Sequence, residues 1–327
     1  MKIRTSSNRN YDLNPTVTQI SDKILNRQSS YKPSTNIANR NSAINDTAAI
    51  YEKNTVAPDF STYSPASVKA AASGSDTYGK YKTYLADMGF YNGAIDETYG
   101  DGFKNALVCF QKAYGSRGGY SQVVDVSGGI PISLKNWIQE VGAAFYTNLH
   151  NGRSTAAMKA LGIESTDFEK KRNFARILTF LEKGMGCTTH QAAGVLGNIM
   201  QECRFNPLSE NKLTGTIGIL QWKDGRRQYL KNFAQTNGYS DEKNMGIQLA
   251  YFKYELSSTW GKDHLGKYAQ NSHLVVAWKE FMADCKTDYD KAAVYFLNKI
   301  EGAQDKQKTE RRTYAKLIYN AIKLKGE

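Results

Sequence analysis

Length, composition and charge narrow the kinds of protein that this chain can be. Its 327 residues exceed what one small domain needs, and its mean hydropathy of −0.56 indicates that part of the chain lies outside a packed core. No run of about 18 consecutive apolar residues occurs, so no membrane-spanning helix is expected. Residues 1–20 lack the apolar segment of a secretory signal peptide.

The charge of the chain favours an anionic partner. The net charge is +12, and residues 166–327 hold 26 Lys or Arg against 18 Asp or Glu, a net charge of +8. Nucleic acid, a membrane surface and a bacterial cell wall are all anionic, although a basic surface also serves solubility. The basic residues are not interleaved with aromatic residues as in nucleic-acid-binding proteins, so we expect no nucleic-acid partner.

Residues 1–75 predict a disordered or extended polar arm. They are rich in Asn, Ser and Thr, and their apolar residues follow neither the period of a strand nor that of a helix. Two interpretations stay open at this point. The arm is either a segment that attaches the chain to a larger assembly or a simple flexible tail.

Residues 76–148 have the spacing of a small three-helix module. Gly89 ends the first helix, and Pro131 suits the beginning of the third, which runs to Tyr146. The apolar faces of the first two helices consist of Tyr78, Tyr81, Leu85 and Met88, and then Phe103, Leu107, Phe110 and Tyr114.

The stretch 84–115, YLADMGFYNGAIDETYGDGFKNALVCFQKAYG, resembles the peptidoglycan-binding-like module of cell-wall hydrolases. Glu97 departs from that pattern, because the module usually has a glycine there. The resemblance implies a module that either binds the wall or only packs against its neighbour. The matching residues are Met88 to Gly93, Ile95-Asp96, Tyr99-Gly100 and Phe110-Gln111.

The remaining chain predicts a mainly α fold. Residues 149–168 are expected to form a linker to a domain over 169–327, and a strand and turn are predicted between Asn211 and Trp222. A first helix of the domain is closed by glycines at 184 and 186. Further helices are predicted near 188–205, 243–256, 273–284, 289–300 and 309–323.

The helix that begins at Thr188 carries the most informative motif. Thr188 and Gln191 form a capping box, in which each side chain satisfies a backbone N–H at the helix start. Gly194 and Gly197 each cost about 1 kcal/mol relative to alanine, which a helix tolerates where another backbone approaches closely. Pro207 ends the helix.

Glu202 falls in the last turn of this helix. It meets the negative end of the helix dipole, and its neighbours on the same face, Val195, Asn198 and Ile199, are largely apolar. Both features disfavour the ionised carboxylate, as a general acid for glycoside cleavage requires. The alternative is a solvated glutamate in a frayed last turn.

The stretch from 191 to 222 resembles the phage tail lysozyme family, which has an α+β lysozyme-like fold with a small β-hairpin. Cys203 stands where the family usually has Ser, and Ile300-Glu301-Gly302 departs from the usual aromatic-Glu-Arg-Pro run. The matching residues are Gln191 to Asn198, Glu202, Phe205 to Pro207, Gly218 to Trp222, Gly225-Arg226, Phe296 to Glu301 and Arg311-Arg312.

The resemblance implies hydrolysis of the β-1,4 bond between N-acetylmuramic acid and N-acetylglucosamine in peptidoglycan. Glu202 would protonate the leaving oxygen. Gly218 would line the glycan cleft, Gln221 would bind an N-acetyl or hydroxyl group, and Trp222 would stack on a sugar. Structural roles are the alternative, with a turn at 218 and a core residue at 222. Glu301 is expected among the substrate-binding residues.

The sequence offers two candidates for a second catalytic carboxylate. Glu210 and Asp224 flank the predicted hairpin. An inverting enzyme needs a base about 6.5–9.5 Å from the acid, and a retaining enzyme a nucleophile at about 5–5.5 Å. The related lytic transglycosylases share parts of the motif and use a hydroxyl of the substrate instead of water, so both reactions stay open.

Other chemistries find little support in the sequence. The four histidines are dispersed and no CxxC pair occurs, so neither a metal nor another cofactor is expected. Lys286-Thr287 after Cys285 does not fit the Ser-Gly of wall cysteine peptidases. We expect free, buried thiols, although a bridge from Cys203 to Cys187 or Cys285 stays open.

The resemblance and the absence of a visible signal peptide also suggest where the protein acts and how it reaches that place. The protein is expected to act at the bacterial cell wall, either associated with a virion or exported without a classical signal. Its arm would contact phage-tail or secretion-machine proteins. The alternative to an enzyme is a glycan-binding structural component of a virion or conjugation machine, against which the intact Glu202 argues.

Overall fold

The structure is a computed structural model and describes residues 77–115, 125–164, 166–256, 272–302 and 308–323. The polar arm predicted for residues 1–75 lies outside the described residues. In the described part of the chain, no helix combines the length and apolar character that crossing a membrane requires.

Three helices form the part of the chain that was expected to be a separate module. They are α1 (Tyr78–Asp87), α2 (Asp101–Tyr114) and α3 (Ile132–His150). Their apolar faces are buried as the periodicity predicts, and Gly89 ends α1 with a φ of +88° that only glycine adopts readily. The three predicted helices are therefore confirmed.

These helices pack closely against the rest of the chain. The backbone of Gly246 donates a hydrogen bond of 2.9 Å to the carbonyl of Gly89. A Cβ on Gly246 would lie 2.8 Å from the Cα of Phe90, so only glycine permits this approach. The Tyr239 hydroxyl donates to the Phe90 carbonyl at 2.7 Å, and the Arg176 guanidinium donates to the Asp87 carbonyl at 2.7 Å.

The segment expected to be a linker, 149–168, contains a helix, α4 (Arg153–Ala160). Arg153 forms an ion pair of 2.7 Å with Glu182 and donates to the carbonyl of Ile322 at 3.2 Å. These contacts fix α4 against the helices that follow it in the chain.

The described residues between 166 and 323 form the larger, mainly helical part. A two-stranded antiparallel sheet pairs Glu210 with Ile217, and an isolated bridge joins Ile217 to Trp222. The mainly α fold with a small hairpin is thereby confirmed. The elements are α5 (Phe168–Thr179) continued by a π-helical turn (Phe180–Met185), α6 (Thr189–Cys203), β1 (Glu210–Asn211), β2 (Thr216–Ile217), α7 (Asp224–Thr236), α8 (Met245–Leu256), α9 (Ser272–Asp284), α10 (Tyr289–Tyr295) continued by a π-helical turn (Phe296–Glu301), and α11 (Lys308–Lys323).

Helix α6 runs through the core of this part, and its start is as predicted. The Thr188 hydroxyl accepts from the backbone of Gln191 at 3.3 Å, and the Gln191 amide oxygen accepts from the backbone of Thr188 at 2.9 Å. A Cβ on Gly194 would lie 2.7 Å from the backbone nitrogen of Ala293. A Cβ on Gly197 would lie 2.7 Å from the Arg311 carbonyl oxygen. The two glycines therefore let α10 and α11 approach α6 closely.

Helix α7 is absent from the prediction. Its sequence, DGRRQYLKNFAQT, is polar, and it buries only Leu230, Phe233 and Ala234. An apolar stripe this narrow does not stand out from a loop in the sequence, so packing against neighbours is needed to identify it.

Candidate functional site

Glu202 lies one residue before the end of α6, at a sharply turned exit from the helix. Arg204 and Phe205 follow with φ angles of +51° and +63°, a left-handed conformation that costs non-glycine residues about 1–3 kcal/mol each. Phe205 is buried, and its ring packs edge-on against Phe174 with centroids 5.2 Å apart. Burial of Phe205 thus fixes the exit, and with it the backbone of Glu202.

The carboxylate of Glu202 is paired with Arg311 of α11. Nη2 of Arg311 donates a short hydrogen bond to Oε1 of Glu202. The Arg311 side chain is only 3% exposed, whereas the Glu202 side chain is 22% exposed and open to a ligand.

Asn198 holds Arg311 in place. Nη1 of Arg311 donates to the backbone oxygen of Asn198 at 3.3 Å and to its Oδ1 at 3.1 Å. The Asn198 amide nitrogen donates to the carbonyls of Gly194 at 2.9 Å and Ala293 at 3.0 Å. Since both ends of this amide are engaged, its oxygen is directed at Arg311.

Glu301 supplies a second carboxylate to the same arginine. It ends the π-helical turn after α10, and its side chain is 5% exposed. Oε2 of Glu301 lies 3.0 Å from Nη1 of Arg311, yet neither of its oxygens has a hydrogen-bond partner among the described residues. Burial raises the pKa of Glu301, and the charge of Glu202 raises it further, although Arg311 and Arg226 act in the opposite direction.

The hairpin after α6 uses its polar groups internally. Gly218 has a φ of +78°, and a Cβ there would lie 2.7 Å from the side-chain oxygen of Gln248. The Thr216 hydroxyl donates to Oε1 of Gln221 at 2.6 Å, and Nε2 of Gln221 donates to the Gly218 carbonyl at 2.9 Å. In this conformation the Gln221 amide stabilises the hairpin, and an N-acetyl group would have to compete with those bonds.

Trp222 does not present a stacking surface. Only 1% of its surface is exposed, and its ring packs against Tyr251 with centroids 5.7 Å apart. The expectation that this indole stacks on a sugar is therefore wrong, and the alternative of a core residue is correct. The sequence motif alone did not distinguish the two, because an aromatic residue serves either purpose.

A buried ion pair anchors Trp222. Its Nε1 donates to Oε2 of Glu255 at 3.2 Å. Arg226 donates to both oxygens of Glu255, from Nε at 2.6 Å and from Nη2 at 2.7 Å, and from Nη1 to the carbonyl of Ile300 at 3.2 Å. This cluster joins the hairpin, α7 and α8 to the turn that carries Glu301.

The site thus brings together residues from α6, from the turn after α10 and from α11. All of these residues lie in the segment that a comparison with known protein families matches. Residues 172–322 match the family model of phage tail lysozyme. No curated protein and no solved structure matches the chain. The matched segment, hereafter the lysozyme region, contains Glu202, Glu301 and Arg311, and indicates a lysozyme-like cell-wall hydrolase with peptidoglycan as its substrate class.

Glu210 and Asp224, the two candidates for the second carboxylate, have different surroundings in the structure. Glu210 forms ion pairs with Arg227 at 3.0 Å and with Lys243 at 3.2 Å. Hydrogen bonds from Lys243 and then Arg227 lower the pKa of Glu210. Asp224 is exposed at the first residue of α7, with a φ of +47°.

The match does not extend to α1, α2 and α3, so the peptidoglycan-binding resemblance of that part stays a prediction. Among the described residues, no group of three His, Cys, Asp or Glu side chains could hold a metal ion. All four cysteines are buried and free, as expected, so neither bridge from Cys203 forms.

The resemblance includes Arg311 and its partners Asn198, Glu202 and Glu301, but it does not indicate that they contact one another. The ion pair joins residues 109 positions apart, and the Glu255 pair with Arg226 joins residues 29 positions apart. Contacts at such separations do not follow from local periodicity.

Proposed function

We propose that the lysozyme region is an N-acetylmuramidase that cleaves the β-1,4 bond between N-acetylmuramic acid and N-acetylglucosamine, with Glu202 as general acid. The observation that carries this proposal is the position of Glu202. It is fixed at the end of a capped, buried helix by a sharply turned exit, it contacts Arg311, and its carboxylate remains partly exposed.

In the proposed reaction, Glu202 protonates the oxygen that leaves the scissile bond. A positive charge then develops on the sugar, as in other glycosidases. The glycan would displace water from the exposed part of Glu202, and this desolvation favours the neutral carboxyl that must donate the proton. Arg311 would stabilise the carboxylate left after proton transfer.

Of the two candidate second carboxylates, Asp224 suits the role of activating water better than Glu210. Two cations engage Glu210 and would have to release it before it could act as a base. Asp224 lies directly after the hairpin and is exposed. For substrate binding we propose the hairpin from Gly218 to Gln221, with Gln221 setting its shape.

A lytic transglycosylase is the second candidate. Ion pairs with Arg227 and Lys243 hold the Glu210 carboxylate, which favours a reaction that does not need a water-activating carboxylate at that position. Glu202 would have the same role as acid in both reactions. The products differ in their ends, which makes the distinction measurable.

We further propose that the protein acts at the bacterial cell wall as a component of a phage-tail-type or other delivered particle. The basic charge of residues 166–327 supports attraction to an anionic wall. The arm over 1–75 would dock into the particle, and the helices α1 to α3 would contact peptidoglycan. Incorporation of a variant lacking 1–75 into the particle at the normal level would contradict the docking role.

The deciding experiment is mass spectrometry of purified peptidoglycan after digestion by wild type, by Glu202→Gln and by the control Glu182→Gln. Reducing N-acetylmuramic acid ends from wild type and the control, but not from Glu202→Gln, would support the muramidase. Anhydro-muramic ends with the same variant pattern would select the transglycosylase. No products from wild type on walls of several chemical types would instead favour a non-enzymatic, glycan-binding component of a virion or conjugation machine.

A further inference from the structure

Arg311 lies against two carboxylates but gives its hydrogen bonds to only one of them. Nη2 donates to Glu202. Nη1 lies 3.0 Å from Glu301, but the hydrogen bonds it makes go to the backbone and side-chain oxygens of Asn198. Glu301 therefore lies beside a positive charge without receiving a hydrogen from it.

This arrangement is built into the fold. The Asn198 amide is fixed by the carbonyls of Gly194 and Ala293, so its oxygen cannot swing away from Arg311 without breaking those bonds. For Nη1, the Arg311 nitrogen nearest Glu301, to donate to that carboxylate, it would have to give up an oxygen of Asn198. Glu301 is buried, and neither of its oxygens has a hydrogen-bond partner in the described part of the chain.

The charges around Glu301 do not balance if both carboxylates are ionised. The charged groups that face it are Arg311 of α11, Glu202 of α6 and Arg226 of α7. The Cys203 thiol of α6 also interacts with Glu301, but burial raises the pKa of this thiol to about 12, so it stays neutral. The charge of Arg226 is already matched by Glu255, with hydrogen bonds of 2.6 and 2.7 Å. Among these described groups, Arg311 is thus left as the one cation for two carboxylates, and a single shared proton makes the cluster neutral.

We propose that Glu301 is a positioning residue that keeps one proton in the Glu202–Glu301 pair at neutral pH. This inference rests on the proposed role of Glu202 as general acid. A cation beside a general acid opposes retention of the proton that the acid must donate. The second carboxylate lets the site retain a proton despite the arginine.

The proton changes place when the glycan binds. Glycan covering Glu202 disfavours its ionised form, so the O–H bond on Glu301 breaks and an O–H bond on Glu202 forms. Glu301 is then the anion that balances Arg311, and the net charge of the cluster is unchanged. The raised pKa of Glu301 is consistent with its holding the proton before glycan binds.

The first test compares the pH dependence of kcat/KM for peptidoglycan cleavage in wild type, Glu301→Gln and the control Glu182→Gln. Glutamine removes the second charge, so the alkaline limb of Glu301→Gln should move to lower pH by about one to three units. On the acidic side its activity should stay within about threefold of wild type. Glu182→Gln, which removes the ion pair with Arg153, should leave the profile unchanged. A uniform loss with an unmoved limb in Glu301→Gln would overturn the proposal.

The second test does not depend on activity or on the folding of a variant. Glutamate side chains of the full wild-type chain are labelled with ¹³C and titrated by NMR from about pH 4 to about pH 9. One glutamate should still be protonated near neutral pH. If all glutamates ionise near their ordinary pKa values, the Glu202–Glu301 pair retains no proton at neutral pH and the proposal is wrong. A positive titration with no glycan cleavage would instead refute the proposed function alone.

Discussion

In the described part of the chain, Glu255 and Glu301 are buried glutamates that each lie beside an arginine, and they differ in the hydrogen bonds that they accept. Glu255 accepts three hydrogen bonds, two from Arg226 and one from Trp222. Glu301 lies 3.0 Å from Arg311 but accepts no hydrogen bond from the described residues. A fully bonded carboxylate contributes to holding elements together, whereas an unbonded one beside a second acid is suited to exchanging a proton.

The largest expected effect is a loss of activity without a loss of stability when Glu202 is replaced. Glu202→Gln should lower the rate of peptidoglycan cleavage by about 10²–10⁴-fold, because an amide cannot donate the proton that the leaving oxygen needs. Its thermal unfolding should stay near that of wild type, since Arg311 keeps its bonds to Asn198. A variant with wild-type activity would remove Glu202 from the mechanism.

Breaking the fully bonded cluster should affect folding. Glu255→Gln leaves Arg226 without its counter-charge and should lower the free energy of unfolding by about 3 kcal/mol, measured by chemical denaturation. The matched control is Glu210→Gln, which removes an exposed pair with Arg227 and should cost less than about 1 kcal/mol. Equal effects from both variants would show that burial of the Glu255 cluster adds nothing.

A smaller loss of stability is expected for Trp222→Phe. The phenyl ring keeps an aromatic residue in the core but removes the N–H bonded to Glu255, at a cost of about 1–3 kcal/mol. The value of KM for peptidoglycan should change little, because the indole is buried. A raised KM with unchanged thermal stability would restore the sugar-stacking role that the structure contradicts.

The smallest effect is a change in the pH dependence of stability. Because the pKa of Glu301 is raised on folding, the folded state binds more protons than the unfolded state above the ordinary value of 4.5. Wild type should therefore lose stability as pH rises from there through the raised pKa, and Glu301→Gln should lose less over the same interval. Denaturation curves at several pH values measure this, and parallel curves would contradict the raised pKa.

Features that depend on neighbouring residues in the chain were predictable from sequence. The capping box of Thr188 and Gln191 forms as expected, and Gly194 and Gly197 admit close neighbours as their cost in a helix implied. Such signals can be read from nearby residues, because a cap satisfies N–H groups at the start of its own helix, and a glycine inside a helix has a cost that a close neighbour explains.

Features that depend on partners distant in the chain were not predictable. The sequence suggested a largely apolar surrounding for Glu202, but α11 places Arg311 against it, and Glu301 contacts the same arginine. The same limit explains Trp222, because an aromatic residue in a motif gives no sign of whether its faces are covered. Burial is decided by tertiary packing, which periodicity does not report.

The close contact between Gly246 and Phe90 limits how this protein can be truncated or joined to other domains. A fragment starting at 169 would uncover the surface of α8 that now packs on α2, and would expose apolar side chains to water. Such a fragment invites aggregation, and a foreign wall-binding module grafted in place of α1 to α3 would not restore the lost surface. Helices α1 to α3 and the lysozyme region should therefore be expressed and engineered together rather than exchanged as independent modules.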